Sequence, residues 1–263
     1  MQLLDALVLA GASPDTPDPL AAAEGVPRKV LVNISGQPML WWTLRALRAS
    51  GRVDHLIVLG GEPGDIADVA GPSECLPGQA ELLDKVLAGL QRVATLHPQA
   101  ELALFVSGDV PLLTPQAINW FVDTCLATEA DFYYPVVERA VMEGAFPGSA
   151  RTYVSLRDGR FCGGDMALVH VHVALARQEL LRELMARRKS PLRQARLIGL
   201  VPLLKLLSRR LSIAEAEQIG SRALSLRGRA IISPYAELAM DVDKPHHLAI
   251  ARQVLASRLA EAA

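Results

Sequence analysis

The sequence predicts an α/β protein in which helices cover a largely parallel β-sheet. The first observation is that short apolar runs ending in Gly alternate with longer segments whose apolar residues recur at helical spacing. The second is that such alternation is typical of right-handed βαβ units, which build parallel sheets. The third is the length of 263 residues, which suffices for one large domain with a buried core. We therefore treat residues 1–263 as one domain.

The first half of the chain shows this alternation most regularly. Its strands are short and apolar, and its helices carry the residues expected at helix termini. Pro38 opens one helix and Gly51 ends it, while Thr114 caps the start of another. In chain order, the predicted elements are strand 3–9, a short extended piece at 30–34, helix 38–50, strand 55–59, helix 80–96, strand 102–106 and a helix from 115.

The second half of the chain is less regular and more helical. Ser212 and Glu215 form a capping box, which predicts the start of a helix. Pro245 predicts the start of the closing helix. We expect an insertion of basic helices at about 174–225. The other predicted elements are strands 132–137, 152–156, 166–173 and 230–233 and helices 174–188 and 191–210.

Composition and charge narrow the classes of function. The formal net charge is −1, so the chain as a whole lacks the positive field of a nucleic-acid-binding protein. Cys75, Cys125 and Cys162 are widely spaced and odd in number, which disfavours a disulfide framework and fits a reducing compartment. No segment reaches about 18 uninterrupted apolar residues, so no membrane span is predicted. We expect a cytoplasmic protein that acts on small molecules.

Positive charge is concentrated in one segment. Between Arg177 and Arg229 there are thirteen Lys or Arg residues and four Asp or Glu residues. One interpretation is an anion-binding surface, and we predict that residues 177–210 lie near the acceptor side of a cleft. The other interpretation is the solvated faces of two amphipathic helices, the commoner origin of such runs.

Three sets of residues occur in a characteristic order along the chain. The first comprises LVLAGA at 7–12, PRKVL at 27–31 and GQPML at 36–40; the second is GDVPLL at 108–113; the third is DVDKPHHL at 241–248. In this order they resemble the sugar-nucleotidyltransferase and molybdenum-cofactor-guanylyltransferase-like superfamily of NTP transferases. The resemblance spans nearly the whole chain. It implies a glycosyltransferase-A-type fold, a three-layer sandwich with a mixed, mostly parallel central sheet.

The resemblance also implies a reaction and the groups that perform it. The expected enzyme is a metal-dependent nucleotidyltransferase, which transfers NMP from a nucleoside triphosphate to a small phosphorylated acceptor and releases pyrophosphate. Lys29 and Asp109 are the implied catalytic residues, and Lys29 places positive charge at the triphosphate. Asp109 and Asp243 are the implied ligands of Mg²⁺ or Mn²⁺, because these cations prefer carboxylate oxygens. The implied nucleotide-binding residues are Leu9, Ala10, Gly11, Ala12, Lys29 and Gln79.

Each of these residues also has a simpler interpretation. Lys29 could be a solvated loop lysine, and Asp109 could be a turn-forming residue before a proline. Either Asp241 or Asp243 could stabilise the N-terminus of the closing helix through the helix dipole. The register of the resemblance, however, selects Asp243 as the metal ligand. Gln79 could cap the helix that follows it.

A glycine-rich segment in the middle of the chain resembles the part of the family that contacts the acceptor. It reads RFCGGD at 160–165. Gly163, Gly164 and Asp165 are therefore the implied acceptor-binding residues. The family often has Asn at this point, whereas an ionised Asp165 prefers hydroxyl or amine donors and repels a phosphate. The alternative interpretation is a β-turn with two glycines.

The loop after the first strand departs from the family pattern. Many members have a short glycine-rich loop with an Arg, whereas this chain has a longer, acidic loop at 13–19, and Arg28 is the nearest Arg. This departure leaves open a nucleotide-binding regulator that has lost catalysis. The other alternative is a glycosyltransferase of the same fold with Asp241 and Asp243 as its DxD metal motif. In such enzymes, however, that motif usually follows a mid-chain strand.

Overall fold

In the computed structural model, the described residues are 2–11, 18–78, 81–187 and 200–261. They form one nine-stranded sheet and a separate two-stranded hairpin. The strands are β1 Leu4–Leu9, β2 Asn33–Ile34, β3 Gln37–Pro38, β4 Val53–Leu59, β5 Ser73–Leu76, β6 Leu102–Ser107, β7 Phe132–Glu138, β8 Val154–Leu156, β9 Gly159–Gly163, β10 Met166–His170 and β11 Gly228–Ser233. The helices are α1 Pro19–Ala23, α2 Met39–Ala49, α3 Leu82–Leu96, α4 Pro115–Leu126, α5 Arg139–Ala145, α6 Val171–Ala176, α7 Gln178–Arg187, α8 Leu200–Leu207, α9 Ile213–Leu224 and α10 Pro245–Glu261.

The strands of the first half of the chain form the parallel part of the sheet. In the order β5–β4–β1–β6, each strand runs parallel to its neighbour. β1 lies in the middle, where Leu7 pairs with Ile57 on one side and with Phe105 on the other. The carboxyl ends of these strands therefore meet at one edge of the sheet, the edge at which such sheets bind ligands.

Beyond β6 the sheet becomes mixed. β10 pairs antiparallel with β6 and β7, and β7 also pairs antiparallel with β9 and parallel with β11. β8 and β9 form an antiparallel hairpin. Because β10 runs in the reverse direction, its amino end reaches the same edge as the carboxyl end of β6. This topology confirms the mixed, mostly parallel sheet that the resemblance implies.

Helices cover both faces of the sheet, as predicted. Alternate residues of β1 point to opposite faces: Ala6 and Val8 pack in the core under α2 and α4, whereas Leu7 packs in the core under α3 and α6. A third core forms between α10, α5 and the ends of β7 and β9. The predicted inward-facing residues of α2 and α4 are all buried, namely Leu40, Leu44, Leu47, Ile118, Phe121, Val122 and Cys125. The three-layer α/β sandwich is thus confirmed.

Helix starts in the second half of the chain follow their sequence signals. Ser212 and Glu215 form the predicted capping box at the start of α9, and α10 begins at Pro245. The apolar spacing of this helix in the sequence also predicts that Leu248, Ala251, Leu255 and Leu259 face inward. The prediction is wrong for Leu259, since 40% of its surface is exposed. The reason is that the apolar face of α10 that contacts the core ends at Leu255.

Two parts of the sheet differ from the sequence prediction. The strand predicted at 166–173 ends at His170, and α6 begins at Val171, because an apolar run faces the core in either conformation. β5 and β9 have no counterpart in the prediction. β5 lies at the edge of the sheet and is half-buried along its length, so its sequence shows no alternation of apolar and polar residues. β9 lies in the glycine-rich segment that we interpret from sequence as an acceptor loop or turn.

No helix among the described residues is long and apolar enough to cross a membrane. The three cysteines are free thiols. In the basic segment, residues 188–199 and the side chains of 183–187 and 200–202 lie outside the described residues. The basic surface expected at 177–210 therefore stays a prediction.

Candidate active site

Close backbone contacts shape the edge of the sheet at the end of β1. Leu9 O accepts a hydrogen bond from Gly108 N at 2.9 Å, and Ala10 N donates to a carbonyl of β4 at 3.0 Å. Gly11 then lies against Gly60, where a Cβ would come within 2.6 Å of Gly11 Cα. Gly60 has a φ of 79°, which favours glycine. Of the predicted nucleotide-binding residues, Leu9 and Ala10 thus fix the turn, and Gly11 packs closely against Gly60 and Lys85.

Lys29 and Asp109, the two predicted catalytic residues, form an ion pair at this edge. Lys29 begins the 3-10 turn Lys29–Leu31, and its Nζ lies 2.6 Å from Asp109 Oδ2. Asp109 follows β6, and Ser107 Oγ donates to its Oδ1 at 2.5 Å. The two side chains are only 18% and 11% exposed. The lysine is therefore a largely buried, paired side chain and not a solvated loop lysine.

Asp243 joins this pair although it is far away in the sequence. Val242 N donates to Asp109 O at 2.9 Å, which holds the segment before α10 against the residues that follow β6. This contact places the Asp243 carboxylate against Lys29 Nζ. The structure therefore brings together all three residues that the sequence predicts for catalysis and metal binding.

His247 holds the backbone at Asp243 through hydrogen bonds. Asp243 N donates to His247 Nδ1 at 3.3 Å, and His247 Nε2 lies 2.9 Å from Ser149 O. Burial lowers the pKa of His247 and favours its neutral form. A neutral imidazole can accept at Nδ1 while it donates at Nε2, as both contacts require. His247 is thus a buried structural residue that orients the backbone before α10.

Asp241 adds a third carboxylate, and we call Asp109, Asp241 and Asp243 the acidic cluster. One oxygen of each lies within 4.8 Å of the others. Burial and a hydrogen bond to Asp243 raise the pKa of Asp241 to about 7. Burial opposes ionisation of Asp243, but the hydrogen bond with Asp241 and the contact with Lys29 outweigh it and lower its pKa. Burial likewise opposes the charge of Lys29, but Asp109 and Asp243 outweigh it and raise its pKa.

Arg151 is a site residue that the sequence prediction misses. Its guanidinium contacts the Asp241 carboxylate, and both side chains are 13% exposed. Burial disfavours the charge of Arg151, but the attraction of Asp241 and Asp165 outweighs it and raises the pKa. Arg151 lies in the irregular segment between α5 and β8, where no motif or periodicity marks it. Only its contact with a residue 90 positions away reveals it.

The predicted acceptor residues lie beside the acidic cluster, at the amino end of β10. A Cβ on Gly164 would come within 2.8 Å of a backbone carbonyl, and one on Gly163 would overlap the Tyr134 hydroxyl. Asp165 Oδ2 is buried and has no hydrogen-bond partner among the described residues. Burial and the nearby acidic cluster raise the pKa of Asp165 well above its usual value. Asp165 is thus easier to protonate than an exposed carboxylate, and its protonated form would not repel a phosphate.

Two further cations lie near the turn after β1. Lys85, in the first turn of α3, is buried, and its Nζ is 3.0 Å from the position that a Cβ on Gly11 would take. Arg28 binds Asp65 through two hydrogen bonds of 2.8 and 2.9 Å. Arg28 thus attaches the segment before Lys29 to the loop that follows β4. Outside the described residues lie two predicted nucleotide-binding residues, Ala12 and Gln79.

This fold and this site define an α/β domain whose lysine and carboxylates gather at the carboxyl edge of a mixed sheet. A family model described as the MobA-like NTP transferase domain matches residues 21–209. The chain belongs to this family of MobA-like NTP transferase domains. The family is one of NTP transferases, in agreement with the superfamily that the resemblance implies.

Comparison with curated proteins finds relatives of the same class. The 3-deoxy-manno-octulosonate cytidylyltransferases of Acidobacterium capsulatum and Synechococcus elongatus are each 34% identical, over 98 and 112 residues respectively. These matches cover 34% and 41% of this chain. They cover 36% and 44% of the two relatives, so the chain spans less than half the length of the curated relatives it matches.

Comparison with solved structures finds the fold along nearly the whole chain. A hypothetical transferase from Thermus thermophilus is 36% identical with a TM-score of 0.82, covering 94% of this chain and all of that one. A 4-diphosphocytidyl-2C-methyl-D-erythritol synthase from Anaerococcus prevotii is 12% identical with a TM-score of 0.60, covering 97% and 99% of the two chains. A CMP:2-keto-3-deoxy-manno-octonic acid synthetase complexed with CTP is 13% identical with a TM-score of 0.57, covering 98% and 100%. The last two likenesses show the fold alone.

Proposed function

We propose that this protein transfers a nucleotidyl group from a nucleoside triphosphate to a small phosphorylated acceptor, such as a sugar phosphate, and releases pyrophosphate. The observation that supports the proposal most directly is the meeting of Lys29, Asp109 and Asp243 at the carboxyl edge of the sheet. Lys29 Nζ lies 2.6 Å from Asp109 and also contacts Asp243. The three residues come from three separate segments of the chain, and each segment carries one of the motifs of the resemblance.

The donor atoms of the acidic cluster suit Mg²⁺ or Mn²⁺. Carboxylate oxygens are hard ligands, and Mg²⁺ usually takes one or two of them together with waters and substrate phosphates. We propose Asp109 and Asp243 as the protein ligands, as the register of the resemblance implies, while Asp241 pairs with Arg151. When bound, the metal would screen the phosphate charges and orient the reacting groups.

Lys29 would stabilise the negative charge that builds on the triphosphate as the bond to pyrophosphate breaks. Its raised pKa keeps it cationic at neutral pH. The turn at Leu9, Ala10 and Gly11 would hold the nucleotide, because Gly11 allows a close approach to the backbone. No covalent enzyme intermediate is needed, since positioning and charge stabilisation can supply the catalysis.

The acceptor would bind beside Gly163, Gly164 and Asp165. These residues stand next to the acidic cluster, so an acceptor there would be close to the reacting phosphate. The buried Asp165 Oδ2 has no partner among the described residues and is available to a polar group of the acceptor. A protonated Asp165 would donate a hydrogen bond to a phosphate oxygen, and an ionised one would accept from a hydroxyl.

The first nucleotide to test is CTP. Two curated relatives are named as cytidylyltransferases. Pyrophosphate release would be measured with CTP, GTP, UTP and ATP in the presence of Mg²⁺, against a panel of sugar phosphates and sugar acids. Binding of a nucleotide without turnover on any acceptor would instead support the alternative of a nucleotide-binding regulator that has lost catalysis. Transfer of a sugar without release of pyrophosphate would support the alternative of a glycosyltransferase of the same fold.

The matched variant for this assay is Asp109→Asn. It keeps the size of the side chain but removes the charge that pairs with Lys29 and the proposed metal, and we expect turnover to fall on the order of 10²-fold or more. Asp68→Asn is the control, because Asp68 is exposed and lies in the loop between β4 and β5. Equal turnover of Asp109→Asn and the wild type would contradict the assigned site.

A further inference from the structure

A second cluster of ligand-type side chains lies at the opposite edge of the sheet. This distal cluster consists of Asp5 near the start of β1, Asp54 in β4 and His97, which follows α3. One donor atom of each residue lies within 4.8 Å of the donor atoms of the other two. The acidic cluster adjoins the far end of β1, so most of the length of a strand, about 15–20 Å, separates the two clusters.

A local irregularity in the sheet brings the distal cluster together. The pairing of β1 with β4 shifts register at Asp5, so that two residues of β4, Asp54 and His55, lie opposite this single residue of β1. Such a bulge changes the direction of a side chain, and bulges occur frequently beside functional sites. The irregularity allows Asp54 to approach Asp5 from the neighbouring strand, while His97 approaches from the end of α3.

Asp5 has one carboxylate oxygen without a partner. Its side chain is 2% exposed, and its Oδ2 lies 2.8 Å from His97 Nδ1. Its Oδ1 is buried, and among the described residues it accepts no hydrogen bond. An unsatisfied buried acceptor costs roughly 1–3 kcal/mol, and more when it is charged. A ligand that supplies the missing contact would therefore be bound favourably.

The surroundings of the distal cluster favour a cation. Asp54 is exposed, and in the described part of the chain its carboxylate forms no hydrogen bond or salt bridge, because Arg48 donates to the backbone carbonyl of Asp54 at 3.0 Å instead. All three residues of the cluster line a cavity of about 310 Å³, together with Glu101. The cavity thus adds a further negative charge and has space for water ligands.

We propose that Asp5, Asp54 and His97 bind a first-row transition-metal dication such as Zn²⁺. Two carboxylates and an imidazole are a ligand set that Zn²⁺ accepts, whereas Mg²⁺ prefers oxygen ligands only. Three protein ligands leave a fourth position for water from the cavity. Bonds of about 2.0–2.2 Å require closer donor atoms than 4.8 Å. The exposed Asp54 side chain can provide this adjustment by rotation.

The bound metal would tie together β1, β4 and the end of α3. The test uses the full chain without nucleotide and measures Zn²⁺ binding by equilibrium dialysis and Tm by thermal unfolding. We expect the wild type to bind Zn²⁺ and to unfold at a higher temperature in its presence. His97→Gln and Asp54→Asn should each weaken this binding by about tenfold or more and remove most of the Tm increase.

Matched variants distinguish this site from other Zn²⁺-binding groups. His172→Gln and Asp68→Asn each remove an exposed residue of the same type elsewhere and should bind Zn²⁺ like the wild type. Asp109→Asn alters the acidic cluster and should keep the distal site. Asp5 is buried, and Asp5→Asn could fail to fold. The role of the carboxylates in Zn²⁺ binding is therefore tested at the exposed Asp54.

Equal Zn²⁺ affinity of His97→Gln and the wild type would overturn the proposal, as would a wild-type Tm that does not respond to Zn²⁺. The contact of Asp5 with His97 would then be a structural ion pair only. Pyrophosphate release by His97→Gln, which we expect to equal that of the wild type, is measured separately. Failure of the distal site is thus distinguishable from failure of the proposed nucleotidyl transfer.

Discussion

The acidic cluster and the distal cluster contain similar side chains, but they differ in the cations that surround them. In the acidic cluster, Lys29 contacts two of the carboxylates and Arg151 contacts the third. In the distal cluster, His97 is the partner of Asp5, and within the described residues no Lys or Arg side chain forms a salt bridge with either carboxylate. The same sheet thus carries one cluster in which each carboxylate contacts a Lys or Arg side chain and one in which neither carboxylate does so among the described residues.

This difference indicates which ligand each cluster should bind. Where protein cations already contact the carboxylates, a bare dication gains little by binding, because it must compete with Lys29 for the same oxygens. A dication together with a triphosphate brings both signs of charge, so that Lys29 can transfer its contacts to phosphate oxygens. We therefore expect the acidic cluster to bind metal together with nucleotide and the distal cluster to bind metal alone.

Lys29→Ala should have the largest effect, because it removes the cation that contacts two carboxylates of the acidic cluster. We expect kcat/KM for pyrophosphate release to fall on the order of 10²-fold or more, as for other single electrostatic stabilisers. Without nucleotide, Mn²⁺ should bind the acidic cluster more tightly than in the wild type, since the carboxylates lose their cation and repel each other. Steady-state kinetics and Mn²⁺ titration followed by electron paramagnetic resonance measure the two effects.

Lys244→Ala is the matched control for this prediction. Lys244 is exposed and follows Asp243 directly, so the variant removes the same charge from a position next to the acidic cluster. Near-wild-type kcat/KM in Lys29→Ala would remove Lys29 from the catalytic residues. Lost activity without tighter Mn²⁺ binding would agree with a catalytic role of Lys29. It would contradict the inference that Lys29 competes with metal for the carboxylates of the acidic cluster.

Arg151→Met should have a smaller effect, on the stability of the fold. Removing one partner of a buried ion pair costs about 3–5 kcal/mol. Asp241 can take up a proton, because its pKa is already about 7. The loss of unfolding free energy should therefore be lower, about 1–3 kcal/mol, and should grow as the pH rises above neutral and the proton becomes less available. Urea unfolding at pH values above and below neutral measures this loss.

The double variant Arg151→Met with Asp241→Asn tests whether the loss comes from the ion pair. With the carboxylate removed, the second substitution should recover part of the stability that the first removes. A loss in the double variant equal to the sum of the two single losses, with no coupling between the two sites, would show that Arg151 stabilises the fold through packing alone.

The sequence predicts the centre of the sheet better than its periphery. β1, β4 and β6 are buried on both faces, so they appear as short apolar runs. β5 at the edge is half-buried along its length, and β9 begins and ends with glycine, so neither gives such a run. The direction of β10 cannot be read from its residues, since a buried antiparallel strand and a buried parallel one have the same apolar pattern.

The same limit applies to the candidate site. Lys29, Asp109 and Asp243 lie in motifs that keep their spacing, and so the sequence indicates them before the fold is known. Arg151 and the distal cluster depend on contacts between segments about 90 positions apart, such as the contact of Asp5 with His97. Such contacts have no local signature, because they are fixed by the packing of the sheet and not by neighbouring residues.

Asp243→Asn should have the smallest effect of the three single substitutions. The Asp243 side chain is 51% exposed, and an amide oxygen can still bind a hard cation. Lys29 also keeps its contact with Asp109 at 2.6 Å. We expect roughly a tenfold increase in the Mg²⁺ concentration for half-maximal pyrophosphate release, or ~1.4 kcal/mol, with unchanged Zn²⁺ binding at the distal cluster. A loss as large as that of Asp109→Asn would mean that the charge of Asp243, and not its oxygen, sustains activity. An unchanged Mg²⁺ requirement would remove Asp243 from the metal ligands and leave Asp109 with Asp241 as the alternative pair.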